Sequence, residues 1–102
     1  MYRRVKAEGR ALRKFPLSMR YLQAPDILES RVGYMIRKRA GDAPLRNAMR
    51  RILRETFRAA RGTFTRPVWT VFEVSDRAAE ATRAEFRQSA LFLVQSLDGE
   101  AA

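Results

Sequence analysis

The sequence predicts a mixed α+β fold, and three observations carry that expectation. β-prone runs occur at 18–22, 31–36 and 67–74, an arginine-rich amphipathic helix fills 43–60, and a second amphipathic helix follows at about 83–97. With 46% apolar and 10% aromatic residues over 102 positions, the chain has material for one hydrophobic core, so a single domain spanning 1–102 is expected.

Each element has a local reason. Residues 1–9 read as a short helix with a modest apolar face at Val5 and Ala7, and Gly9 ends it. Pro16 breaks any continuous element between Ala11 and Gln23, leaving Ser18-Met19-Arg20-Tyr21-Leu22 as a strand before the turn Ala24-Pro25-Asp26. Arg31-Val32-Gly33-Tyr34-Met35-Ile36 is a second strand, and it leads straight into Arg37-Lys38-Arg39. Asp42 is placed to cap the next helix, where Pro44 falls in the first turn and is tolerated. At about 100° per residue, Leu45, Ala48, Met49, Ile52, Leu53 and Thr56 share one side of that helix, and Arg46, Asn47, Arg50, Arg51, Arg54 and Arg58 share the other. Gly62 stops it, and 67–74 forms a strand with Pro67 at its edge. Thr82-Arg83-Ala84-Glu85 is a capping box opening a helix whose core stripe is Phe86, Ala90, Leu93, Val94 and Leu97. Residues 98–102 are expected to be a frayed tail.

Composition narrows the function. Twenty-one Lys and Arg against eleven Asp and Glu give a net charge of +10, which calls for a polyanionic partner. The excess is concentrated: between Arg31 and Arg61 there are ten basic residues and two acids, Asp42 and Glu55. A GC-rich genome accounts for arginine over lysine as well as phosphate binding does, but it does not account for the clustering. The absence of cysteine and histidine removes disulfides, thiolate zinc sites, a thiol nucleophile and the usual general base. No run of 18 apolar residues and no hydrophobic segment after the basic N-terminus points to a membrane or to export, so a cytoplasmic location is expected.

The arginines at 46, 50, 54 and 58 repeat at i, i+4, and each such pair of like charges costs a few tenths of a kcal/mol, roughly, on an isolated helix. A polyanion lying against this side reverses the sign of that cost. If about six phosphates are neutralised by this side and by Arg37, Lys38 and Arg39, affinity falls by about 10³ between 50 and 200 mM salt.

The ungapped run from Arg31 to Arg58 resembles the bacterial ribonuclease P protein subunit, whose pattern is R-x-G, a basic pair before a glycine, then R-N-R-x-K-R-x-x-R-E on a helix. Tyr2-x-x-Val5 followed by Gly9 is similar to the family's aromatic-x-x-Val helix and glycine, and the last strand and helix recur in the same order. The resemblance implies a two-layer α+β sandwich of a small, mostly antiparallel sheet with helices, a left-handed βαβ crossover and a ribosomal-protein-like fold. It implies that Arg37, Lys38, Arg39, Arg46, Asn47, Arg50, Arg51, Arg54 and Arg58 bind the catalytic RNA. It further implies that a cleft with Tyr2, Val5 and Lys6 holds the 5′ leader of precursor tRNA. Phosphodiester hydrolysis would be performed by the RNA with Mg²⁺, with no catalytic residue and no metal site in the protein. The chain departs from the family at Ala48, in the third position of R-N-R, at Lys6, where a second cleft aromatic is frequent, and in its short N-terminus.

Two other readings compete. A structured-RNA-binding, ribosome-associated protein with no part in tRNA processing would share the fold and the charge. A DNA reader using 43–60 in the major groove would need a preceding partner helix, which the sequence does not provide.

Overall fold

The computed structural model describes residues 1–101, and side-chain surroundings through Leu97. The chain runs α1 (Tyr2–Glu8), β1 (Arg10–Lys14), β2 (Leu17–Leu22), β3 (Arg31–Ile36), α2 (Ala43–Ala60), β4 (Trp69–Val74) and α3 (Arg83–Ala101), with short 3₁₀ turns at Lys38–Ala40, Arg61–Thr63 and Ala78–Glu80. The strands form one sheet in the order β1-β2-β4-β3. β1–β2 and β2–β4 pair antiparallel, whereas β3 and β4 run parallel and are joined by the crossover through α2.

β1 is not expected from the sequence, in which Pro16 interrupts the segment between Ala11 and Gln23. Phe15-Pro16 is in fact the turn of a hairpin, with a cis peptide bond. Lys14 pairs with Leu17 across it. β1 forms one margin of the sheet and carries Arg10, Arg13 and Lys14 exposed. The frayed tail expected at 98–102 is also revised: α3 stays helical to Ala101, and Ala102 lies outside the described residues. α2 ends at Ala60, as expected, and the chain passes Gly62 in the 3₁₀ turn Arg61–Thr63.

Alternation along the strands separates two faces. On one face Leu17, Met19, Tyr21, Phe72 and Val74 pack under α2 and α3, meeting Met49, Leu53, Phe57, Phe86, Leu93 and Leu97 in the main core. On the other face Leu22 and Val71 meet Val5 and Ile27 in a smaller cluster beneath α1. Seven residues are too few for a stable isolated helix, so α1 depends on that docking. Gly9, which follows it, is extended rather than left-handed; a Cβ there would strike the carbonyls of Val5 and Tyr21.

Arg4 ties α1 to the β2–β3 loop. Its Nη1 and Nη2 donate to the Asp26 carboxylate at 2.5 and 2.9 Å, its Nε donates to Glu8 at 3.2 Å, and the guanidinium lies over the Trp69 ring, 5.6 Å from the centroid. The Arg4 fork holds the Asp26 carboxyl below its ordinary value. A depressed carboxyl pKa means stability that is present above the unfolded value of about 3.9 and is lost as pH falls through the lower folded value. An NMR titration should therefore place the Asp26 midpoint below that ordinary value, with α1 resonances shifting in the same acid window. Asp26→Asn should abolish that window; a titration of Asp26 at an ordinary value would show that the fork does not form.

Among the described residues no helix is long and apolar enough to cross a membrane.

Candidate RNA interface

α2 begins as its sequence requires. The Asp42 carboxylate accepts from the Leu45 amide at 2.9 Å, and Pro44 occupies the first turn. Ala48, Met49, Ile52, Leu53 and Phe57 are buried, while Asn47, Arg51, Arg54 and Arg58 are exposed and Arg46 and Arg50 half-buried. The apolar side is wider than the sequence count, which left out Phe57; that ring is buried against Phe64, with centroids 5.6 Å apart.

The arginines differ in freedom. Arg46 turns back over the helix start, where its Nη1 donates to the Gly41 carbonyl at 2.9 Å, so it braces the loop as well as adding charge. Arg50 donates from Nη1 to Asn47 Oδ1 at 3.1 Å, which makes Asn47 a rest for that guanidinium. Among the described residues, none of Arg46, Arg50, Arg51, Arg54 and Arg58 is paired with a carboxylate. At about 100° per residue Asn47, Arg50, Arg51, Arg54 and Arg58 lie within an arc of roughly 100°. The repulsion in this row is thus left standing, with all its members but the two inner ones turned fully to solvent.

Ala48 is 5% exposed, in a shallow depression that Arg83 of α3 also lines. Lys38 and Arg39 sit exposed in the 3₁₀ turn before α2. Arg37 takes a different place from the one expected beside them. It reaches across the other face of the sheet to Glu73 at 3.4 Å and Asp76 at 3.6 Å, which puts it in a cleft rather than on the α2 surface.

That cleft, about 670 Å³ in volume, lies beside α1 on the second face of the sheet. Tyr2 and Lys6 stand on its helical wall. Val5 also belongs to that wall, but it is fully buried, so it shapes the cleft and offers little surface to a ligand. Arg3, Ser18, Arg20, Met35 and Glu73 complete the lining and were missed by the sequence reading. Ser18, Arg20 and Glu73 alternate with core residues along β2 and β4, a signal visible only once strand pairing is known. Arg3, Lys6 and Arg20 are exposed and make no ion pair among the described residues, so the cleft is cationic.

Tyr2 is 47% exposed, and its ring lies on Gly33, where a Cβ would collide with the Tyr2 hydroxyl. This close approach is the physical reason for the glycine in the R-x-G run. The Tyr2 hydroxyl accepts from the Tyr34 backbone N–H at 3.2 Å on the outer side of β3. Tyr34, also missed, projects to the helix side, packed partly against the main core. Burial raises the pKa of its phenol, while the nearby cations Arg54, Arg58 and Arg50 pull in the other direction.

A row of unneutralised guanidinium groups on one face of a four-stranded sheet and a cationic cleft on the other define a small α+β protein built to lie against a polyanion. A sequence model of the ribonuclease P family matches residues 1–98, and the chain belongs to the ribonuclease P protein family. It is similar in fold to the Staphylococcus aureus RNase P protein, at 20% identity with a TM-score of 0.81, covering 99% of this chain and 91% of that one. It is also similar to the Thermotoga maritima RNase P protein in complex with 1-(4-fluorophenyl)-2-thiourea, at 21% identity and TM-score 0.78, covering 92% of this chain and 91% of that one. No curated protein sequence matches the chain. Family membership makes it a protein subunit of the ribonuclease P endonuclease complex, with an RNA as its partner.

Proposed function

We propose that this subunit docks the catalytic RNA of ribonuclease P along the exposed guanidinium groups of α2, with Lys38 and Arg39 beside them, and holds the 5′ leader of precursor tRNA in the cleft next to α1. The observation that carries the reading is the arginine row itself: five guanidinium groups on one helix, none neutralised by a carboxylate among the described residues. Phosphate contacts of this kind fix the position and path of an RNA without reading its sequence.

The chain's contribution is to bind and orient. Positive charge on α2 screens the self-repulsion of a folded RNA, and Arg3, Lys6 and Arg20 attract the phosphates of a single-stranded leader. The half-exposed Tyr2 ring at the mouth of the cleft offers a stacking surface for one base. Hydrolysis of the phosphodiester belongs in this reading to the RNA, whose bound Mg²⁺ supplies the activated water. The chain brings no histidine or cysteine to that step. The complex is placed in the cytoplasm, where precursor tRNA is made.

The test is reconstitution with the RNA from the same genome. At low Mg²⁺ the chain should accelerate cleavage of precursor tRNA by that RNA. In the reconstituted complex Tyr2→Ala should weaken binding of precursor tRNA about tenfold and leave mature tRNA unaffected, since only the precursor has a base to stack. Equal losses for both substrates would remove the leader from the cleft, and an unchanged cleavage rate on adding the chain would defeat the proposal as a whole.

A further inference from the structure

Tyr34 sits on the margin strand β3 with its side chain on the helix side of the sheet, in the same row as Val32 and Ile36. Packing alone explains two aliphatic members of that row and leaves the third, a phenol, with an unexplained polar end. The ring leans on the main core, yet the residue is only half-buried. Its hydroxyl makes no hydrogen bond with any described residue, although its backbone N–H is taken by Tyr2.

The surroundings of that hydroxyl are cationic. α2 packs across β3, and Arg54, Arg58 and Arg50 of that helix all act on the Tyr34 phenol; Arg50 and Arg54 stand roughly 40° apart around the helix and about 6 Å apart along it. Arg50 is steadied by Asn47 through one Nη atom, which leaves its other N–H groups available. Arg54 is exposed and unpaired among the described residues. Arg46, by contrast, is committed to the Gly41 carbonyl. A half-buried phenol without a hydrogen-bond partner among the described residues, under the influence of these guanidinium groups, offers a neutral donor next to their charged ones. The complementary ligand is an oxyanion with several acceptor atoms in a compact arrangement, and on an RNA that group is the backbone phosphate.

We infer that the Tyr34 hydroxyl joins the guanidinium groups of Arg50 and Arg54 in one phosphate-binding subsite, in the notch between β3 and α2, for a backbone phosphate of the ribonuclease P RNA. The inference rests on the docking of that RNA along α2 and adds to it a neutral contact that charge counting does not reveal. The electrostatic influence of Arg54, Arg58 and Arg50 on the phenol agrees with this placement. Tyr2, on the wall of the cleft, meets the backbone of the same residue from the other face of the sheet.

Tyr34→Phe keeps the ring and deletes the donor, so folding is preserved and the test isolates the hydroxyl. In salt titrations of ribonuclease P RNA binding, Tyr34→Phe should weaken affinity about tenfold with an unchanged salt slope, because no charge is lost. Arg54→Gln should weaken affinity and lower the slope by about one. The double variant should lose severalfold less than the product of the single losses, the signature of two groups sharing one ligand. A Tyr34→Phe affinity within about twofold of the wild type, or losses that simply multiply, would overturn the subsite while a steep wild-type salt dependence kept the RNA on α2. A wild-type affinity indifferent to salt would instead remove the RNA from α2, and the subsite with it.

Discussion

Reversing Arg50 and Arg54 to glutamate together should lower affinity for ribonuclease P RNA by about a hundredfold or more at moderate salt and reduce the salt slope by roughly two. Two contacts are lost, and two anions are set against the same phosphates. Arg54 is exposed and Arg50 half-buried with one bond to Asn47, and neither is paired with a carboxylate among the described residues, so the fold loses little by the change. It should gain slightly, since the 46/50 and 54/58 pairs change from repulsive to attractive while 50/54 stays a like-charge pair, now of two carboxylates. Circular dichroism and the thermal midpoint should stay at or above wild-type values while filter binding collapses. If affinity and slope both hold, the RNA lies elsewhere on the protein. If the helix melts, these arginines serve the fold rather than the partner.

The second large effect is expected in the core. Phe72 is fully buried on β4, a central strand paired on both sides, and its ring belongs to the main cluster beneath α2 and α3. Phe72→Ala should cost about 3–5 kcal/mol, the sum of lost transfer energy and the cavity left behind. Against a typical domain stability of about 5–15 kcal/mol, that is enough to bring the free protein close to its unfolding threshold. Urea denaturation checks it: the midpoint should fall with little change in the slope of free energy against denaturant. A loss below about 1 kcal/mol would mean that the layers close over the gap, and that the packing between sheet and helices is looser than its burial suggests.

The elements that were legible in the sequence are those fixed by local chemistry. Asp42 with Pro44 marked the start of α2, and the reciprocal bonds of Thr82 and Glu85, at 2.9 and 3.0 Å, are the capping box read from four residues. β1 escaped because Arg10-Ala11-Leu12-Arg13-Lys14 has just one partly buried side chain, so its pairing with β2 leaves almost no hydrophobic alternation to detect. The arginine row was visible because it lies on one helix and repeats with its period.

The cleft was not visible in the same way, since its walls come from α1 and three strands. Arg20 and Glu73 are more than fifty positions apart and become neighbours through the register in which Ser18 opposes Glu73. Arg37 misled for a related reason. Three consecutive cations invite a single assignment, but strand alternation and the carboxylates of Glu73 and Asp76 draw the first to the opposite face. Gly33 is the glycine of the R-x-G run; the Tyr2 ring that requires it arrives from thirty-one residues upstream.

The Tyr2 hydroxyl on the Tyr34 amide has a bearing on self-association. A sheet that ends in unsatisfied amides templates the addition of a neighbouring copy, and a small protein whose sheet has two open borders is exposed to that hazard. Here one border is stoppered by a phenol and the opposite border bristles with cations at Arg10, Arg13 and Lys14, so two copies meeting strand to strand find a plugged donor on one side and Coulombic resistance on the other.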